Sequence, residues 1–145
     1  MIVLDTNVLS EMVRPNPASA VVEWLDVQPA SGLATTSITA AELFAGVARL
    51  PDGRRRARLT DEIAASLADL RGPLLPFDID AAWEYAEVVA SRTRMGRCIE
   101  IADAQIAAVC RVRGATLATR NVKDFEGVGV EVVNPWTVDL DVDER

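Results

Sequence analysis

Four short apolar runs constrain this chain more than any other feature. Ile2–Leu4, Leu33–Thr36, Ala115–Thr119 and Val130–Val133 are each flanked by turn residues, the pattern of strands buried in a parallel sheet. Helical stretches are predicted between them: Val8–Val13, Ala18–Asp26, Ala40–Arg49, Arg54–Leu70, Ala81–Thr93 and Ile101–Arg113. Pro15 and Pro17 separate the first two, and Pro51-Asp52-Gly53 separates the third from the fourth. Gly72-Pro73 ends the fourth, Asp80 is placed to cap the fifth, and Gly114 stops the sixth. This alternation predicts an α/β domain with a mostly parallel sheet. Crossovers should be right-handed, and ligands should bind outside the carboxyl ends of the strands.

The bulk properties narrow the function. A chain of 145 residues fits one domain, which would bury about 68–70% of its unfolded surface without staples. The 15 Lys and Arg stand against 22 Asp and Glu, a formal charge of -7, which argues against coating nucleic acid through a global basic field. There is no histidine. The commonest general base, the commonest transition-metal ligand and every Ser-His or Cys-His pair are therefore absent. Cys98 and Cys110 lack CxxC spacing and read as two small core residues in a reducing cytosol. The opening apolar run is broken by Asp5 and has no basic flank, and no stretch approaches a membrane span, so a cytoplasmic protein is expected.

What remains is carboxylate chemistry, which points to a hard divalent cation. Asp5 ends the first strand, and Asp103 sits on a helix face between Ile99 and Ile106. Carboxylates on faces meant for the core need a cation, donors or a proton. Asp5 is either an N-cap or, with Thr6 and Asn7, a source of oxygens for a metal and its waters. Glu42 closes a capping box with Thr39, with Ile38 and Leu43 as its staple, yet near a helix start it can face a cleft. Asp103 is either paired with an arginine or functional. Thr119 and Asn121 lie at the carboxyl end of the third predicted strand with Asp124 beyond, and all three also suit an ordinary turn. Arg54, Arg55, Arg56 and Arg58 form a solvated helix face or track a phosphate backbone. Arg92, Arg94 and Arg97 carry the same two readings. Trp24, Trp83 and Trp136 read as packing residues.

In order along the chain, Met1-Ile-Val-Leu-Asp5-Thr6-Asn7, Thr39-Ala-Ala-Glu42-Leu43, Ile101-Ala-Asp103-Ala-Gln-Ile106 and Ala118-Thr119-Arg-Asn121-Val-Lys-Asp124-Phe125 resemble the motifs of PIN-domain ribonucleases. Val133-Asn-Pro-Trp136 also fits, so the likeness runs from Met1 to Trp136. It looks most like the VapC-type toxins of type II toxin–antitoxin modules, in the FitB-like subgroup. The resemblance implies a PIN-like domain over 1–136, with about five parallel strands flanked by helices, followed by an acidic tail over 137–145. It implies Mg²⁺ or Mn²⁺, RNA as substrate, a homodimer, and a VapB-like antitoxin that covers the site and builds a higher assembly. Asp5, Glu42 and Asp103 would be its acidic triad. Asn121 stands where some relatives carry an acid, so the fourth carboxylate falls to Asp124 or, less directly, to Glu100.

Two unit charges 4 Å apart cost roughly 4 kcal/mol at an effective dielectric near 20, a cost that a divalent ion removes. Asp5 and Asp103 are expected to bind it directly. Glu42 would act through water or orient the attacking water. Thr6, Asn7, Thr119 and Asn121 would support them, and Arg54, Arg55, Arg58, Arg94 and Arg97 would position the RNA backbone. Two rivals remain. A phosphatase that forms an aspartyl-phosphate usually wants a second Asp where this chain has Asn7. A degenerate PIN-like binding module would act only through a protein partner.

Overall fold

The computed structural model describes residues 1–139. Five parallel strands form the sheet: β1 (Ile2–Leu4), β2 (Leu33–Thr36), β3 (Leu74–Leu75), β4 (Thr116–Ala118) and β5 (Val132–Val133), in the order β3-β2-β1-β4-β5. Six helices connect them: α1 (Thr6–Met12), α2 (Ser19–Asp26), α3 (Ser37–Ala48), α4 (Arg54–Asp69), α5 (Ile79–Arg94) and α6 (Ile101–Arg113). The α/β expectation holds, and the fifth strand is β3. Gly72 makes its pairing feasible, because a Cβ there would lie 1.8 Å from the Leu33 carbonyl oxygen.

Side chains alternate across the sheet. Val3 and Leu117 point into one apolar cluster with Val88 of α5 and with Ile106 and Val109 of α6. Leu4 and Ala118, one residue on, point into the other, with Val8, Leu9, Val21, Trp24, Leu43 and Ile63 from α1 to α4. Burying each such Val, Leu or Ile contributes about 1.5–3 kcal/mol, so both faces of the sheet are firmly held.

The chain leaves β1 towards β2 on one side and returns to β4 on the other. The strand order therefore reverses between β1 and β4, where open parallel sheets form a crevice at their carboxyl ends. Asp5 and Thr119 follow those two strands directly.

Several local expectations are corrected. Helix α3 begins at Ser37 with Thr36 as its cap, the Thr39 N–H donating to Thr36 Oγ1 at 3.0 Å. Thr39 is thus inside the helix, and the capping box with Glu42 does not form. Asp78, not Asp80, caps α5, its Oδ1 accepting from the Ala81 N–H at 3.1 Å. Cys110 is buried but Cys98 is exposed. Trp24 is core, whereas Trp83 is 73% exposed and packs little. Arg92 is neither solvated nor free for phosphate. It is buried and donates to the carbonyl oxygens of Arg97, Cys98, Lys123, Asp124 and Glu126. No described helix is long and apolar enough to cross a membrane. Residues 140–145, most of the expected acidic tail, lie outside the described residues.

Candidate active site

Asp5 follows β1 into the crevice and caps α1, its Oδ1 accepting from the Thr6 N–H at 2.8 Å. Its other oxygen accepts from Thr119 Oγ1 at 2.7 Å and from Asn7 Nδ2 at 3.3 Å. The capping reading of Asp5 therefore holds, and the capping residue also lines the cleft. Burial pushes the Asp5 carboxyl above its ordinary value, the three donors oppose that, and the charge of Glu42 adds to it.

A hydrogen-bonded floor surrounds Asp5. Thr119 is fully buried, and its Oγ1 also accepts from Asn7 Nδ2 at 3.1 Å and from the Asn121 N–H at 3.1 Å. Asn7 Oδ1 in turn accepts from the Arg120 N–H at 3.1 Å. The loop after β4 is thus tied to the first turn of α1.

Glu42 projects from the second turn of α3, exposed, and its Oε1 accepts from Thr6 Oγ1 at 2.7 Å. Asp103 lies in the first turn of α6, half-buried. Burial, then the charges of Asp5, Asp124, Glu42 and Glu100, push its carboxyl up to about 7. Every influence on it has the same sign, so this is the least compensated acid of the site.

Asp5, Glu42 and Asp103 line one open cleft of about 450 Å³, together with Thr6, Asn7 and Asn121. Asp124 stands in a 3₁₀ turn (Val122–Phe125) beside the cleft and reaches Asp103 through its charge. Of the arginines singled out, Arg55 and Arg58 line a neighbouring groove that shares Ser10 and Arg14 with the cleft. Arg58 also pairs with Glu62 at 3.7 Å. Arg54 is exposed at the start of α4, and Arg94 is exposed in the last turn of α5. Arg97 is engaged by Glu126 at 2.6 Å.

Sequence reasoning missed Ser10, Glu11, Arg14 and Arg120 in the lining, and took Trp136 as packing alone. Helical spacing from Asn7 was the available signal for Ser10 and Glu11, which follow it at three and four residues, whereas Arg14 lies beyond the end of α1. Arg120 was visible only as the residue between two site residues.

Among the described residues, no three acidic or cysteine side chains close into a preformed metal cage. The donor set still fits a hard ion that keeps most of its water. Mg²⁺ is usually held by one or two carboxylates and substrate phosphates, and here oxygen donors that raise one another's pKa border an open cleft.

Likeness to known proteins covers nearly the whole chain. The PIN domain profile matches residues 2–130. This chain belongs to the PIN-domain family. The VapC ribonuclease Y4jK of Sinorhizobium fredii is 43% identical to this chain over 140 residues, covering 94% of this chain and 98% of the relative. Toxin FitB of Neisseria gonorrhoeae is 40% identical over 137 residues, covering 94% and 99%. The crystal structure of FitAcB from Neisseria gonorrhoeae superposes with a TM-score of 0.86 at 39% identity, covering 95% of this chain and 100% of that one.

Proposed function

We propose that this PIN-domain protein is the toxin of a type II toxin–antitoxin module and acts as a metal-dependent endoribonuclease. The observation that carries this reading is the placement of Asp5, Glu42 and Asp103 around one open cleft at the strand-order reversal. Two relatives named as a VapC ribonuclease and as a toxin support it.

Asp5 and Asp103 would hold Mg²⁺ or Mn²⁺, with Glu42 reaching it through water. When bound, the ion supplies positive charge against the phosphate and lowers the pKa of nearby water. The chain does the rest. Thr119, Asn7 and the Thr6 N–H fix the Asp5 carboxylate in one orientation. Thr6 Oγ1 holds Glu42 Oε1, leaving Oε2 to take a proton from the attacking water. Asn121 offers the cleft an uncharged amide oxygen, and Asp124 adds negative charge from outside its lining. Arg55 and Arg58, in the adjoining groove, extend the path for RNA phosphates, with Arg54 beside them on α4. Arg94 and Arg97 lie outside the lining of both. The protein would act in the cytoplasm as a homodimer, silenced by a VapB-like antitoxin whose basic side chain meets the carboxylates.

The test is cleavage of total cellular RNA by purified, partner-free protein in Mg²⁺ or Mn²⁺. Discrete fragments should appear, and should vanish with EDTA, with Asp103→Asn and with Glu42→Gln, while all variants melt cooperatively. Undiminished cleavage by Asp103→Asn would remove the carboxylate mechanism. Intact RNA from a folded protein that binds no divalent ion would favour a module acting only through its partner.

A further inference from the structure

Among the described residues two arginines line the cleft; Arg14 is paired with Glu11, and Arg120 has been given no task. Its backbone is unusually well anchored. Its N–H donates to Asn7 Oδ1 at 3.1 Å, Thr119 before it donates to Asp5, and the Asn121 N–H after it donates to Thr119 Oγ1. From that anchor the exposed side chain lies over Trp136, the guanidinium carbon 5.1 Å from the ring centroid. Trp136 is fixed in turn, its backbone N–H donating to Asn134 Oδ1 at 3.0 Å and its side chain packing against the apolar cluster that contains Leu4. An aromatic face of this kind holds a guanidinium by its plane and leaves the N–H edges open.

The ordinary explanation would be that Arg120 neutralises nearby Glu11. Both Glu11 oxygens are already engaged, Oε1 by the Ala18 N–H at 2.8 Å and Oε2 by Arg14 at 3.2 Å. Among the described residues, Arg120 takes part in no salt bridge and its guanidinium donates no hydrogen bond. A pre-positioned cation with open donors thus lines the same cleft as Asp5, Glu42 and Asp103. Those carboxylates repel the backbone of any RNA that enters. A fixed guanidinium on the rim meets a phosphate with two parallel hydrogen bonds and offsets that repulsion.

We infer that Arg120 is a positioning residue that binds an RNA backbone phosphate next to the scissile one, with Trp136 as the platform that holds it in place. This rests on the ribonuclease reading. A phosphate contact reads no sequence, so its signature is electrostatic.

The experiment measures binding of a short, labelled, single-stranded RNA of mixed sequence to the full chain carrying Asp103→Asn, across a salt series. Each phosphate neutralised on a single strand contributes about 0.7 to the slope of log affinity against log salt. Adding Arg120→Ala should lower that slope by about 0.7. Arg120→Lys should keep the slope, and Trp136→Ala should weaken binding with the slope unchanged. An Arg120 that merely packs on Trp136 would shift the melting temperature and leave the slope alone. Should Arg120→Ala fail to fold, Arg120→Gln removes the charge at similar length and carries the same test. A parent that binds RNA with a slope indifferent to Arg120 overturns the inference. A parent that binds no RNA overturns the ribonuclease reading beneath it.

Discussion

Asp103 holds the charge that this site tolerates least, and that has a measurable sign. Its carboxyl is raised from an ordinary 3.8 to about 7, first by burial and then by four acids. Between those values the folded chain keeps a proton that the unfolded chain has lost, so stability falls as pH rises through the window. In EDTA, the melting temperature should drop as pH climbs from about 4 to about 7, and Asp103→Asn should flatten the profile. A metal-free protein whose stability rises over that range would contradict the crowding of Asp103. The sequence showed that Asp103 was an acid on a core-facing side of a helix. It did not show which acids surround it, because Asp5, Glu42 and Asp124 arrive from three other segments. Arg92 marks the same limit, since only the fold reveals that its donors meet five carbonyl oxygens.

Among the elements, strands β1 and β2 and helix α6 were legible to the residue, because each apolar run has clear punctuation. Strand β3 was not read, since Leu74–Leu75 is only two residues between Pro73 and Pro76. The starts of α3 and α5 slipped for a different reason. Thr35, Thr36, Ser37 and Thr39 all have capping side chains, as do Asp78 and Asp80, and local chemistry does not choose among near-equivalent caps. The structure chooses Thr36 and Asp78. Thr36→Ala should therefore cost about 1 kcal/mol in denaturant unfolding, whereas Asp80→Ala should change it by a few tenths at most. The Arg92 clamp ties the end of α5 to Arg97–Cys98 and to the turn that carries Asp124. Arg92→Met keeps bulk and removes the donors. It should destabilise the fold by about 2–3 kcal/mol, because five carbonyl oxygens lose a charged, buried donor. Equal loss of stability on Arg94→Met, at an exposed site, would mean that the clamp is not what matters.

For the molecule as a whole, the acidic cleft predicts that a divalent ion stabilises the folded chain. At roughly a hundred times its Kd the gain is about 2.7 kcal/mol, and each kcal/mol raises the melting temperature of a domain this size by about 2–4 °C. Mg²⁺ or Mn²⁺ should produce that rise, and Asp103→Asn should reduce it. A melting temperature indifferent to both ions would argue that the cleft does not collect them. The strand order has a further consequence, for biosynthesis. Asp5 leaves the ribosome well ahead of its hydrogen-bond partner Thr119, which lies 114 residues later. Strand β1 meanwhile waits for β4 to fill the side opposite β2. A nascent chain therefore carries the Asp5 carboxylate long before it carries the Thr119 hydroxyl that orients it. For a protein proposed to cut RNA, this ties competence to the closing of the sheet, since Asp5 is not held in its final orientation until β4 has paired with β1.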